Sequence, residues 1–127
     1  VIVGLGTDLC DVGRIQAAID RFGERFARKI LVESELVRYL RHRKPAGYLA
    51  KRFAAKEAFS KAMGTGIRFP VNWHNVSVEN EPSGKPVLRF SAPLQALLDR
   101  RGIVAAHLSL TDEIGMAAAT VILEGAR

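Results

Sequence analysis

Cysteine occurs once in the 127 residues, at Cys10. An intramolecular disulfide is therefore excluded, and so is a zinc site built from several thiolates. No nucleophile signature follows Cys10, so it reads as a small buried hydrophobe. Histidine is scarce too: His42, His74 and His107 stand at no metal-ligand spacing, and any metal here should be a hard ion held by carboxylates. Aromatics are 7% of the chain and are not interleaved with its basic residues, which argues against a nucleic-acid partner, as does the lack of any nucleic-acid-binding motif. Long apolar runs are missing. The longest, such as Met116 to Leu123, fall well short of the roughly 20 residues that span a bilayer, and no charged leader precedes an apolar stretch. The expectation is a soluble, cytoplasmic protein that does not engage a membrane. No repeat, low-complexity segment or interior linker interrupts the chain, so residues 1–127 read as a single domain.

Acidic residues are outnumbered, 13 against 19 Lys and Arg. The excess lies in the first half: residues 1–64 hold 13 basic and 7 acidic side chains, and residues 65–127 hold 6 of each. A basic face suits an acidic protein or a phosphorylated molecule as well as nucleic acid, and charge alone does not choose.

Hydrophobic spacing gives the elements. Val1 to Asp8 begins as a strand expected to turn at Gly4 and Gly6, which would leave Asp8 projecting from its end. Val12, Ile15, Ala18, Ile19 and Phe22 recur at helical spacing up to Gly23, with Arg14 and Arg21 off the stripe. Leu36, Val37 and Leu40 suggest a shorter helix with Ser34 as its N-cap. The strongest helical pattern runs from Pro45 to Gly64, a natural residue past a helix end. Beyond it the period changes to two: Val76 and Val78, a Pro82–Pro86 turn, and Val87 to Phe90. A helix of about ten residues between Ser91 and Gly102 follows, then two strands, Val104 to Leu110 and Met116 to Leu123, around a turn at Thr111 to Gly115. The fold class expected is α+β, with a long central helix and an antiparallel sheet completed by the second half.

Glu57 and Lys61 stand four apart in the long helix and share a face. In isolation they would read as a surface salt bridge worth a few tenths of a kcal/mol. Yet Arg38 to Lys61 contains eight Lys and Arg and one acid, Glu57. That carboxylate in a basic field suits phosphate bridged by Mg²⁺, which takes one or two carboxylates plus phosphate oxygens and water. Asp8 would be the second ligand. Gly4-x-Gly6 lacks the third glycine of a dinucleotide fingerprint, and Gly64-Thr-Gly66 lacks the lysine and hydroxyl of a phosphate-binding loop. Three classes stay open on this basis: a phosphotransferase, a Mg²⁺-dependent nucleotide phosphohydrolase using Asp8 and Glu57, and a small basic nucleic-acid-binding protein.

Gly4-Leu-Gly6-Thr-Asp8 and Arg52-Phe-Ala-Ala-Lys-Glu57-Ala-Phe-Ser-Lys61-Ala-Met-Gly-Thr-Gly66 together resemble the two signatures of the holo-acyl carrier protein synthases, a family of 4′-phosphopantetheinyl transferases. The resemblance continues through Gly84-Lys-Pro86, His107 to Asp112 and Ala117 to Val121. It departs at Met116, where the family often has an aromatic. It implies transfer of phosphopantetheine from coenzyme A to a serine of an acyl carrier protein, in support of fatty acid biosynthesis. It implies Asp8 and Glu57 as Mg²⁺ ligands and Glu57 and Lys61 as catalytic residues, with Glu57 a ligand first and an acceptor of the serine proton second. For coenzyme A it implies Arg52, Lys61, Gly64, Lys44, Pro86 and His107; for carrier docking, Arg14 and Arg21. A homotrimer with sites between subunits completes the set.

Overall fold

The protein is described over Val1–Arg127 by a computed structural model. Its order is β1 (Ile2–Asp11), α1 (Val12–Phe22), α2 (Glu24–Ile30), α3 (Glu33–Arg41), α4 (Pro45–Met63), β2 (Val76–Asn80), β3 (Pro86–Phe90), α5 (Ala92–Arg100), β4 (Ile103–Glu113) and β5 (Met116–Gly125). Two antiparallel sheets form, one ordered β1-β5-β4 and one pairing β2 with β3. The expected α+β architecture around a long helix is what is found.

The larger sheet lies on α4 because both surfaces are small. Ala54, Ala55, Ala58 and Ala62 line the helix, and Ala117, Ala119, Val121 and Leu123 line the facing side of β5; all are buried. The closest approach is made by β1. A Cβ at Gly6 would collide with the Ala58 carbonyl oxygen, and one at Gly4 with that of Ala62. These two glycines therefore do not turn the chain, as the sequence suggested. They lie inside a strand that runs on to Asp11, and they let its backbone rest directly on α4. Asp8 accordingly sits within β1 and pairs with Ala119 of β5, not at a strand end.

Other local readings are refined. The α1 boundaries are as expected, with Asp11 capping the first turn by accepting from the Gly13 amide at 2.7 Å. Between α1 and α3 an unanticipated helix, α2, appears; its seven residues are too few for periodicity to declare it. Ser34 is not the cap of α3. It lies inside the helix, and the Glu35 carboxylate instead accepts the Val32 amide at 3.0 Å. α4 ends at Gly64, whose φ of 75° is the left-handed form glycine adopts readily. The last hairpin turn is tighter than expected, with only Ile114 and Gly115 outside the strands, both at positive φ (50° and 75°), and Thr111 and Asp112 belong to β4.

Candidate active site

The inner face of β1 carries Gly4, Gly6, Asp8 and Cys10 in alternation, so the contact that presses Gly6 onto α4 also sets Asp8 beside that helix. Lys61, in the last turn of α4, reaches across to it: its Nζ donates to Asp8 Oδ1 at 3.0 Å and to the Thr7 carbonyl at 3.2 Å. The surface salt bridge along the helix that Lys61 and Glu57 would suggest in isolation gives way to this one between elements.

Asp8 and Glu57 line a common cleft of about 320 Å³. Arg14 of α1 joins them, and Ile15, Phe26 and Phe53 supply apolar walls. Burial pushes the Glu57 carboxyl above its usual range, the negative charge of Asp8 pushes it further, and Lys61 partly offsets both. A carboxylate whose charge is disfavoured by burial and by a neighbouring carboxylate, both lining one cleft, is an arrangement a cation would relieve. Asp11 lines the cleft too, but its carboxylate caps α1 by accepting from the Gly13 and Arg14 amides, and no group of three or more His, Cys, Asp or Glu that could hold a metal converges in the chain, which leaves Asp8 and Glu57 as the pair. That donor set fits Mg²⁺, which takes few protein ligands and keeps positions for phosphate and water. Cys10 also borders the cleft, but burial, reinforced by Asp8 and Asp11, pushes its thiol up to about 11. It is a protonated wall group and no nucleophile.

The remaining site residues named from sequence lie elsewhere in the chain. Arg21 projects from α1 over its own neighbour, 5.1 Å from the Phe22 ring. Arg52 precedes Glu57 by five residues, about 140° around the helix, and so faces away from it. It is 5% exposed, lies 4.1 Å over the Tyr48 ring, donates to Asn80 Oδ1 at 3.0 Å and leaves its Nε without a partner. Lys44 precedes the first turn of α4, roughly 25 Å along the axis from Lys61. Gly64 follows Lys61's turn, Pro86 opens β3, and His107 stands on the outer face of β4 with Nε2 2.5 Å from Glu124 Oε1. One chain thus brings together Asp8, Glu57, Lys61 and Arg14, and leaves Lys44, Arg52, Pro86 and His107 outside that cleft.

The basic field inferred around Glu57 is also thinner than its count suggested. Lys56 is wholly buried and ion-paired with Glu35 at 2.7 Å, so it does not face a ligand. A signal for this was present: Lys56 falls on the stripe of Leu49, Arg52, Phe59 and Met63, at spacings of three, four and seven. Phe26 went unnoticed as a cleft wall because α2 did.

Residues 4–115 match the family model of the 4′-phosphopantetheinyl transferase superfamily. Holo-[acyl-carrier-protein] synthase of Nitrosomonas europaea is 52% identical over 124 residues, covering 98% of this chain and 99% of that protein. Among solved structures, the synthase of Neisseria meningitidis superposes with a TM-score of 0.95 at 42% identity, covering 98% of this chain and 99% of that one. The synthase of Bacillus anthracis, in complex with CoA (3′,5′-ADP), superposes at 0.83 with 35% identity and 98% of each chain covered. With matches of this extent to both sequence and fold, the chain belongs to the holo-[acyl-carrier-protein] synthase family of the 4′-phosphopantetheinyl transferase superfamily.

Proposed function

We propose that this protein transfers the 4′-phosphopantetheine group of coenzyme A to a serine of apo-acyl carrier protein, releasing adenosine 3′,5′-bisphosphate, with Mg²⁺ as its metal. The observation that carries the reading is the meeting of Asp8 and Lys61 from different elements, with Asp8 and Glu57 lining one cleft. When bound, the ion would supply charge neutralisation for a diphosphate, and Asp8 and Glu57 are the residues that would hold it.

The chain's own groups have separate tasks. The Lys61 ammonium, 53% exposed, is free to move from Asp8 to a phosphate oxygen and stabilise charge as the phosphoanhydride bond breaks. The carrier serine attacks the phosphorus on the pantetheine side. Its proton can pass to Glu57, directly or through water, because a carboxylate raised above its usual range is a stronger acceptor than a solvated one. Arg14, on the opposite wall, meets an acidic carrier helix, and Arg21 extends that positive surface along α1.

We further place Lys44, Arg52, Gly64, Pro86 and His107 in coenzyme A binding, and the enzyme in cytoplasmic fatty acid synthesis as a homotrimer. Because these residues are spread so widely over one chain, a ligand that meets them all would lie between copies. No helix is long and apolar enough to cross a membrane.

The test is to incubate the protein with coenzyme A, Mg²⁺ and apo-carrier and weigh the carrier. A gain of one phosphopantetheine, lost with EDTA or when the carrier serine is replaced by alanine, is the expected result. An unchanged carrier with coenzyme A cleaved would instead indicate a phosphohydrolase, and an unchanged carrier with intact coenzyme A would overturn the reading.

A further inference from the structure

Lys56 is buried completely, and each hydrogen of its ammonium has an acceptor: the Ile30 carbonyl at 2.7 Å, Glu35 Oε1 at 2.7 Å and the Trp73 carbonyl at 2.8 Å. Glu35, 1% exposed, also accepts the Val32 amide on Oε1 at 3.0 Å and the Val78 amide on Oε2 at 2.8 Å. Neither side chain lines the cleft. Stability alone is a poor account of this pair, because apolar residues of similar volume often replace a buried ion pair at no net loss.

The acceptors show what the pair connects. Ile30 ends α2, whose Phe26 is one wall of the cleft. Lys56 itself is on α4, next to Glu57 and one turn from Phe53, both on another wall. Trp73 stacks on that Phe53, with ring centroids 5.2 Å apart and planes at 24°. Glu35 on α3 accepts from the ammonium on the remaining side and is itself fixed by the Val78 amide of β2. A single cation therefore ties the α2 wall to the α4 wall through bonds that geometry makes directional, where apolar packing would permit sliding.

We propose that Lys56, with Glu35, is a positioning residue of the transferase: the pair holds the two cleft walls, and Glu57 with them, in the arrangement that transfer requires. The proposal rests on the transferase reading above. It separates from a structural role because removing both charges together should leave a folded protein with impaired chemistry.

The experiment compares the unsubstituted protein with Lys56→Met/Glu35→Gln, in which both partners become neutral, and with Glu35→Asp, a milder change that keeps both charges but shortens the reach. Melting temperature, kcat, KM for coenzyme A and the Mg²⁺ concentration giving half-maximal transfer are measured for each. For the double variant kcat should fall about tenfold or more and the Mg²⁺ requirement rise about fivefold in a protein that still unfolds cooperatively above the assay temperature, its melting temperature lowered by the Ile30 and Trp73 carbonyls that lose their donor. Glu35→Asp should shift both in the same direction by less, and it decides the matter alone if the double variant does not fold. Parental turnover at the parental Mg²⁺ requirement in a folded variant would overturn the proposal and leave the transferase reading intact. No transfer by the unsubstituted protein would remove both.

Discussion

Glu57 is held where its charge is disfavoured in the fold, by burial and by Asp8. Its carboxyl is raised in the folded state, so the native protein binds that proton more tightly than the unfolded chain does. Stability should then fall as pH rises from below the ordinary glutamate range, near 4, through the raised value, and the loss is complete above it. Glu57→Gln removes this penalty. At neutral pH the variant should melt higher than the parent, the difference should vanish near pH 3, and transfer should be almost abolished; thermal melts at both pH values and the carrier mass assay check each part. A lower melt at neutral pH would contradict the electrostatic account. Lys61→Ala removes the one ammonium that reaches Asp8, so kcat and kcat/KM should both drop about a hundredfold or more. A change confined to thermal stability would show that Lys61 serves only as a counter-ion.

Strand β1 and helix α4 place the site by lying closer together than side chains permit. Gly6→Ala forces a methyl group into the Ala58 carbonyl, and the strand must retreat. The cost should be about 1–3 kcal/mol, read by denaturant unfolding, and transfer should fall further than stability explains because Asp8 retreats with its strand. An alanine variant of full stability and activity would mean that the contact is slack. Helix α1 faces the other side of the cleft, and Arg14 is its one basic residue on the cleft wall. Arg14→Glu should raise KM for the carrier about tenfold, leave KM for coenzyme A nearly unchanged and reduce the salt dependence of association. Equal losses toward both substrates, in steady-state kinetics at two ionic strengths, would remove the docking role.

For the molecule as a whole, the uncovered face of the larger sheet is the feature to account for. Cross-strand pairing aligns Leu5, Ile122 and His107 in one row on the side away from α4, and Leu5 is 64% exposed. Val3 and Leu9, at 51% and 65%, extend the apolar strip along β1. A trimer that covers this strip is expected to scatter light with three times the 13.9 kDa chain mass. Leu5→Asp should yield a folded species of lower mass with little transfer. A parent protein that is monomeric and fully active at assay concentration would exclude the assembly.

Much of this was legible in the residues alone. Helix α4 could be bounded from Pro45 and Gly64, and the hairpins from their alternation, because these signals are local and act within a few residues. Asp8, Glu57 and Lys61 could be named together because two short motifs carry them. What the sequence did not determine depends on contacts between distant segments. Gly4 and Gly6 look like turn residues until α4 lies against them, since glycine serves a turn and a close approach equally well. Lys56 looks like one more surface cation until Glu35, 21 positions earlier, Ile30 and Trp73 enclose it. Whether Lys61 would pair along its helix or across to Asp8 was likewise decided only by packing, which brought a carboxylate 53 positions away within 3.0 Å of its ammonium.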